Sequence, residues 1–290
     1  MKGPLLIAAN HPNSFLDAII LASLFKQPIY SLARGDVFKK PWAARLLYSL
    51  KIYPVYRTSE GVENMEHNYS TFDACREIFK KNGIVLIFSE GRCVNEWHFR
   101  PLKKGTARLA LSSWEQGIDL KILPTGINYS NFYSYDKNMH ILFGNVFGKE
   151  AIERNDSFGR SVQSFNRLLQ KEMEQPIYEI ADEDVQKRKE IFAVRAPAWK
   201  KILLYIPALT GVIIHFPLYL FAKAMADKYG SINDHYDSIM LAVLFVFYPL
   251  YILLLTLAVY FISANGWSWL LLLLMPIGAW SWLQVKRQRF

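Results

Sequence analysis

Leu6–Ile20 reads LIAANHPNSFLDAII: an apolar run ends at Asn10, His11 and Pro12 follow, and Asp17 sits inside the next apolar-periodic segment. A short apolar run, turn residues and then helical spacing predict strand, loop and helix. That order places His11 at the carboxyl end of a strand, where open α/β sheets hold their ligands. Imidazole suits proton transfer near neutral pH, and a carboxylate fixes its tautomer and favours its protonated form. Taken alone, the pair reads more readily as a loop histidine and an exposed helix aspartate. The remainder of the chain has to decide.

Outward from this stretch, strand-like runs recur at Leu5–Ala9, Ile29–Ala33, Ile52–Tyr56, Ile84–Phe88, Ile122–Ile127 and Met139–Phe143. Helical spacing fills Phe15–Phe25, Pro41–Leu50, Val62–Lys81 and Thr106–Gln116. Such alternation predicts an α/β fold, a mainly parallel sheet flanked by helices. Ser157–Val194 is long, charged and helical in pattern, and is expected to pack across this domain. Neither GxGxxG after a strand nor GxxxxGK[ST] is present, which removes support for dinucleotide and P-loop readings.

The composition divides the chain unevenly. Of 290 residues 52% are apolar, and long uncharged runs gather in about the last 90. Ile239–Ile262 and Trp267–Leu283 carry no charge and are separated only by Ser263–Gly266, so they predict a spanning helical hairpin. Ile202–Ala222 contains Pro207, Gly211, His215 and Pro217 and is expected to be re-entrant or interfacial. Lys223 and Lys228 precede the hairpin and Lys286, Arg287 and Arg289 follow it, which predicts both its ends on the cytoplasmic side. Three plain spans are the competing reading. The expected organisation is therefore a cytoplasmic domain over 1–195 and a C-terminal α-helical membrane region over 196–290. Met1–Pro4 leads straight into a strand, so no signal peptide is expected.

The net charge of +9 beside apolar runs points to an anionic membrane surface or phosphorylated substrates. Nucleic acid is not expected as a partner, because no zinc spacing, RNP-like aromatic motif or long basic block accompanies the charge. Cys75 and Cys93 lack partners at metal-ligand spacing, so neither a disulfide framework nor a metal site is expected.

Three more clusters fall at predicted strand ends. Tyr53–Arg57 (YPVYR) puts Arg57 just past a strand, and Phe88–Arg92 (FSEGR) runs a strand into a Glu90-Gly91-Arg92 turn, with Arg100-Pro101-Leu102-Lys103-Lys104-Gly105 downstream. Ile122–Ile127 is a strand interrupted by Pro124 and Gly126. Guanidinium forks match phosphate oxygens and lysine adds a point charge. Each cluster by itself reads as solvated loop charge or a strand end.

Together and in this order they resemble the glycerolipid acyltransferase family, of the 1-acylglycerol-3-phosphate or glycerol-3-phosphate acyltransferase type. Asn10, His11 and Asp17 resemble its Asn-His…Asp motif, Tyr53–Arg57 its apolar run ending in Arg, and Phe88–Arg92 its Phe-Pro-Glu-Gly-Thr-Arg. Arg34-Gly35-Asp36-Val37-Phe38 stands where the family has a basic-acidic-apolar segment, and Leu123-Pro124 resembles its strand with an internal proline. The likeness covers about residues 5–145. It departs in three places. Five residues separate His11 from Asp17 where the family has four, Ser89 replaces a proline, and the threonine before Arg92 is missing. One added residue turns a helical position by about 100°, so a bulge at Pro12 and Asn13 is expected to absorb it.

The resemblance implies a membrane-bound enzyme moving an acyl group from acyl-CoA or acyl carrier protein to a hydroxyl of a phosphorylated glycerol acceptor. No metal or other cofactor is implied. His11 is then general base and Asp17 its orienting carboxylate, with Arg57, Arg92 and Lys103 on the acceptor phosphate. Glu90 and Gly91 would shape the loop or hold the hydroxyl. Two alternatives stay open: acylation of a non-phosphorylated lipid such as an amino-acid lipid, and a catalytically silent lipid-binding scaffold.

Overall fold

The computed structural model describes residues 3–56, 66–135, 137–153, 157–194, 197–230 and 234–286. Arg57, Val62, Arg287 and Arg289 from the sequence reading lie outside these residues. The described chain divides into two compact units, the first formed by Met1–Pro12, Leu16–Asn128 and His140–Asp182, the second by Asn13–Phe15, Tyr129–Met139 and Glu183–Phe290.

The first unit is built on a mixed, mostly parallel six-stranded sheet flanked by helices. Its strands are β1 (Leu5–Ala9), β2 (Ile29–Arg34), β3 (Ile52–Val55), β4 (Ile84–Phe88), β5 (Lys121–Tyr129) and β6 (Met139–Phe143), in the order β3-β2-β4-β1-β5-β6. β1 runs parallel to β4 on one side and β5 on the other, pairing Ala9 with Phe88 and with Thr125. The central strands are continuous apolar runs (LLIAA in β1, IVLIF in β4), as burial on both faces of a parallel sheet requires.

Helix α1 (Ser14–Leu24) follows β1, α2 (Pro41–Ser49) lies between β2 and β3, α3 (Glu66–Lys80) leads to β4 and α4 (Lys104–Glu115) to β5. Thr71, Cys75 and Phe79 form the buried stripe of α3 at four-residue intervals, the spacing of one helix face. Leu109, Ala110 and Trp114 of α4 join the same core. Helix α5 (Phe158–Glu174) buries Val162, Phe165, Leu169 and Met173, and Phe165 packs its ring against both Trp114 and Phe147.

One sequence expectation changes here. The proline in Ile122–Ile127 does not interrupt the strand: Pro124 pairs in register with Ala8, and β5 continues to Tyr129. Ser157–Val194, helical in pattern, forms two helices, α5 and α6 (Val185–Phe192). The break follows from Pro176 and its neighbours. Asn128 donates from Nδ2 to the Pro176 carbonyl at 2.8 Å and accepts at Oδ1 from the Tyr178 amide at 2.8 Å. A Cβ on Gly126 would stand 2.1 Å from the same carbonyl, so only glycine fits that strand position.

The second unit holds α6, α7 (Ala198–Gly230), α8 (Tyr236–Ser263) and, after the 3₁₀ turn Gly266–Leu270, α9 (Leu271–Val285). Three segments, Ala198–Gly230, Tyr236–Ser263 and Gly266–Val285, are long and apolar enough to cross a membrane. Ile202–Ala222, expected to be re-entrant or interfacial, lies within α7, one continuous helix of 33 residues that carries both Pro207 and Pro217 inside it. Helices α7 and α9 meet where Gly211 faces Gly278, and a Cβ on Gly211 would stand 2.3 Å from the Gly278 carbonyl. Small residues that let backbones approach this closely typify helix association in lipid. Elsewhere in this unit Asn13 and Lys137 both donate to the Asp237 carboxylate, and the Lys137–Asp237 ion pair is buried.

Candidate active site

β1 and β4 are parallel neighbours, so their carboxyl ends open on the same edge of the sheet. Asn10 and His11 leave β1 there, and Ser89 and Glu90 leave β4 beside them. Two runs far apart in sequence are thereby brought together in the first unit.

Asn10 seals the end of β1. Its Nδ2 donates to the Ile127 carbonyl at 3.0 Å and its Oδ1 accepts from the Ile127 amide at 2.7 Å. The side chain acts as one more peptide group on the β5 side, beyond the last backbone register pair at Ala9 and Thr125. Both partners are buried, where an unpaired polar group would be costly.

His11 follows, with 18% of its side chain exposed, and its Nδ1–H donates to Asp17 Oδ2 at 2.9 Å. Asp17 is fully buried. The bond commits Nδ1 as the protonated nitrogen and leaves Nε2 as the proton acceptor. The imidazole also stacks on Phe88, with centroids 3.7 Å apart and planes 9° from parallel. The five-residue gap between His11 and Asp17 closes across a bend at Pro12 and Asn13. Ser14, the first residue of α1, takes a φ of +48°. The extra residue is absorbed before the helix is under way, so the rotation of about 100° per helical residue does not carry Asp17 off target.

Glu90 is the clamp of the site. One carboxylate oxygen accepts from the His11 amide at 3.2 Å and the other from the Arg100 amide at 3.1 Å. It is buried, and burial pushes its pKa up to about 7 against the opposing pull of those two amides and the Arg100 guanidinium. Backbone bonds reinforce the clamp: the Val94 amide donates to the His11 carbonyl at 3.2 Å, and Asn95 Nδ2 donates to the Pro12 carbonyl at 2.7 Å. Gly91 takes a φ of +75° in the turn after Glu90, and a Cβ there would lie 2.9 Å from Lys103 Cγ. The Lys103 amide in turn donates to the Ser89 carbonyl at 2.8 Å. Ser89, where the acyltransferase motif has proline, accepts a 3.0 Å hydrogen bond from Thr106 Oγ1.

The residues expected from sequence thus separate into groups. His11, Asp17, Glu90 and Gly91 converge, and Lys103 lies against Gly91. Arg92 is exposed one residue further along, and Arg57 falls outside the described residues. Phe88 and Arg100, from the clusters at the strand ends, join the site through a ring stack on His11 and an amide bond to Glu90, and Val94 and Asn95 join it through contacts that a sequence pattern does not announce. Arg100 places its guanidinium on Glu96 at 3.0 Å. Among the described residues no three His, Cys, Asp or Glu side chains are grouped to hold a metal ion.

Residues 1–128 match the family model described as Acyltransferase. The match supports an acyltransferase enzyme. It spans the strands and loops that carry His11, Asp17 and the Glu90 clamp, so the matched residues and the buried dyad coincide. A comparison with curated proteins finds no match.

Proposed function

We propose that this acyltransferase domain moves a fatty acyl group from acyl-CoA or acyl carrier protein to a hydroxyl of glycerol-3-phosphate or lysophosphatidate, on the cytoplasmic face of a membrane. The observation that carries the reading is the 2.9 Å His11–Asp17 bond to a fully buried carboxylate. In this mechanism the acceptor hydroxyl gives its proton to His11 Nε2 as its oxygen attacks the thioester carbonyl. The ester C–O bond forms, the C–S bond breaks, and the proton passes from His11 to the departing thiolate. Asp17 keeps the imidazole in the productive tautomer and stabilises its protonated form, as the carboxylate does in hydrolase triads. A thioester is already activated, and a histidine base of this kind contributes about 10²–10⁴-fold.

Arg92 and Lys103, on the loop that Glu90 and Gly91 shape, and Arg57 after β3 are the proposed phosphate-binding cations. Glu90 serves the loop rather than the substrate, since both its oxygens are taken by backbone amides. The three long apolar helices support membrane attachment.

The test is acyl transfer by the full chain in lipid nanodiscs, with labelled acyl-CoA or acyl carrier protein and an acceptor panel. The panel contains glycerol-3-phosphate, lysophosphatidate, an amino-acid lipid and a hydroxy fatty acid. Transfer to a phosphorylated acceptor that His11→Ala abolishes is expected. Transfer confined to the non-phosphorylated acceptors would overturn the acceptor class, and wild-type turnover in His11→Ala would overturn the mechanism.

A further inference from the structure

Helix α2 wears its apolar stripe on the outside. Trp42 and Leu46 stand four residues apart on one face of α2, Leu50 follows at the same spacing as its C-cap residue, and the three are 67%, 52% and 51% exposed. No residue of α2 is fully buried. Its opposite side carries half-buried Ala44 and Tyr48, itself 49% exposed, whose ring packs on Phe38 and Tyr53. Val37, in the 3₁₀ turn Gly35–Phe38, extends the exposed apolar surface. A core-facing helix shows the reverse arrangement, with its apolar stripe inward.

Charge indicates what this stripe meets. Val37–Lys51 contains Lys39, Lys40, Arg45 and Lys51 and no acidic residue. Lys39, Lys40 and Arg45 are exposed beside the stripe, and long basic side chains can lay their stems along apolar surface while their heads reach an anionic layer. Exposed tryptophan and leucine flanked by cations is the composition of a helix lying in the boundary of an anionic bilayer. The same chain also carries three helices fit to cross a membrane, so a lipid surface is held at high effective concentration.

We propose that Val37–Lys51 is an interfacial foot of the first unit: the Trp42–Leu46–Leu50 stripe enters the headgroup and acyl boundary of a bilayer, and the flanking cations select anionic lipid. The inference stands on the exposed stripe and its charge and is independent of the acyltransferase reading.

The experiment uses the full chain in nanodiscs, with Cys93→Ser to leave the buried Cys75 as background. Trp42→Cys carries an environment-sensitive fluorophore, and Glu115→Cys, at the exposed end of α4, is the control site. With lipids bearing a quencher on the acyl chain, the label at position 42 should be quenched about twofold or more and emit to the blue of the control. The effect should be larger in phosphatidylglycerol-containing discs than in phosphatidylcholine discs, and Lys39→Glu/Lys40→Glu/Arg45→Glu should cut it by about half. Emission like that of the control, without lipid quenching, overturns the proposal. So does a blue-shifted label that lipid does not quench, which would assign the stripe to a second copy of the chain. A response only on adding an acidic carrier protein would assign it to that partner instead. Equal quenching in neutral and anionic discs overturns the selection of anionic lipid.

Discussion

The ring of Phe88, the last residue of β4, lies under the imidazole of His11 at 3.7 Å and 9° from parallel. With Asp17 on its Nδ1 edge and Phe88 on its face, the imidazole is fixed in both rotation and tilt. Aromatic contacts of this type add about 0.5–1.5 kcal/mol beyond the area they bury. Phe88→Ala should therefore lower kcat by about 10–10²-fold through misplacement of the base, with little change in KM. A fall in KM for the acceptor alone, at unchanged kcat, would contradict the positioning role.

Removal of the orienting carboxylate should be more severe. Asp17→Asn offers an amide where Nδ1 needs an acceptor and favours the wrong tautomer, so acyl transfer should drop by about 10²–10⁴-fold. The protein should still fold, because asparagine has nearly the same shape. Circular dichroism beside the turnover assay checks both halves, and a variant within tenfold of wild type would refute the dyad.

Asn10→Ala should cost stability rather than chemistry alone. It strands the buried amide and carbonyl of Ile127, each of which loses its partner. An unsatisfied buried group costs about 1–3 kcal/mol, so the thermal midpoint of the first unit should fall by several degrees. Asn10→Asp keeps the acceptor and loses the donor, and it should fall between wild type and Asn10→Ala.

The Glu90 carboxyl gives a pH signature whose sign is fixed. Its ordinary value is 4.5 and burial raises it to about 7, so between these values the folded protein holds a proton that the unfolded chain has released. Stabilisation by that proton is complete below about 4.5 and is lost as pH rises through about 7. Wild type should therefore lose of the order of 3 kcal/mol relative to Glu90→Gln between pH 4.5 and 8. Denaturant unfolding of both proteins in one detergent measures this, and parallel stability curves would contradict it.

The two cysteines should differ sharply toward a thiol reagent. Cys75 is buried in the core, and burial pushes its thiol up to about 12. Cys93 is half-buried on the loop after Gly91. Reagent should modify Cys93 in the native protein and reach Cys75 only after unfolding, since the thiolate is the reactive form. Rapid native modification of Cys75 would show that the core around Phe79 opens.

Much of this was legible in the sequence, and the reason differs by feature. The central strands β1 and β4 declared themselves as short apolar runs bounded by turn residues, because a strand buried on both faces has no polar positions to disguise it. His11 and Asp17 were legible through their company, Glu90 and Gly91 above all. Illegible were the features that depend on distant partners. That Asn10 copies a peptide group for Ile127, or that Asn95 holds the Pro12 carbonyl, requires knowing which loops become neighbours. The break near Pro176 was hidden by a helical pattern that resumes after it. For α2 the spacing of Trp42, Leu46 and Leu50 was visible, but not which side of the helix would meet Phe38 and Tyr53, where the Tyr48 ring packs.

The clamp has a consequence for when the chain acquires its chemistry. His11 and Asp17 lie six positions apart, whereas the carboxylate that holds the His11 amide arrives 79 residues later. A ribosome releasing this protein would emit the proton-moving pair first and the group that sets its backbone long afterwards. The partial chain carries the two residues without the Glu90 loop that holds the His11 amide and without the β5 backbone that seals Asn10 beside it.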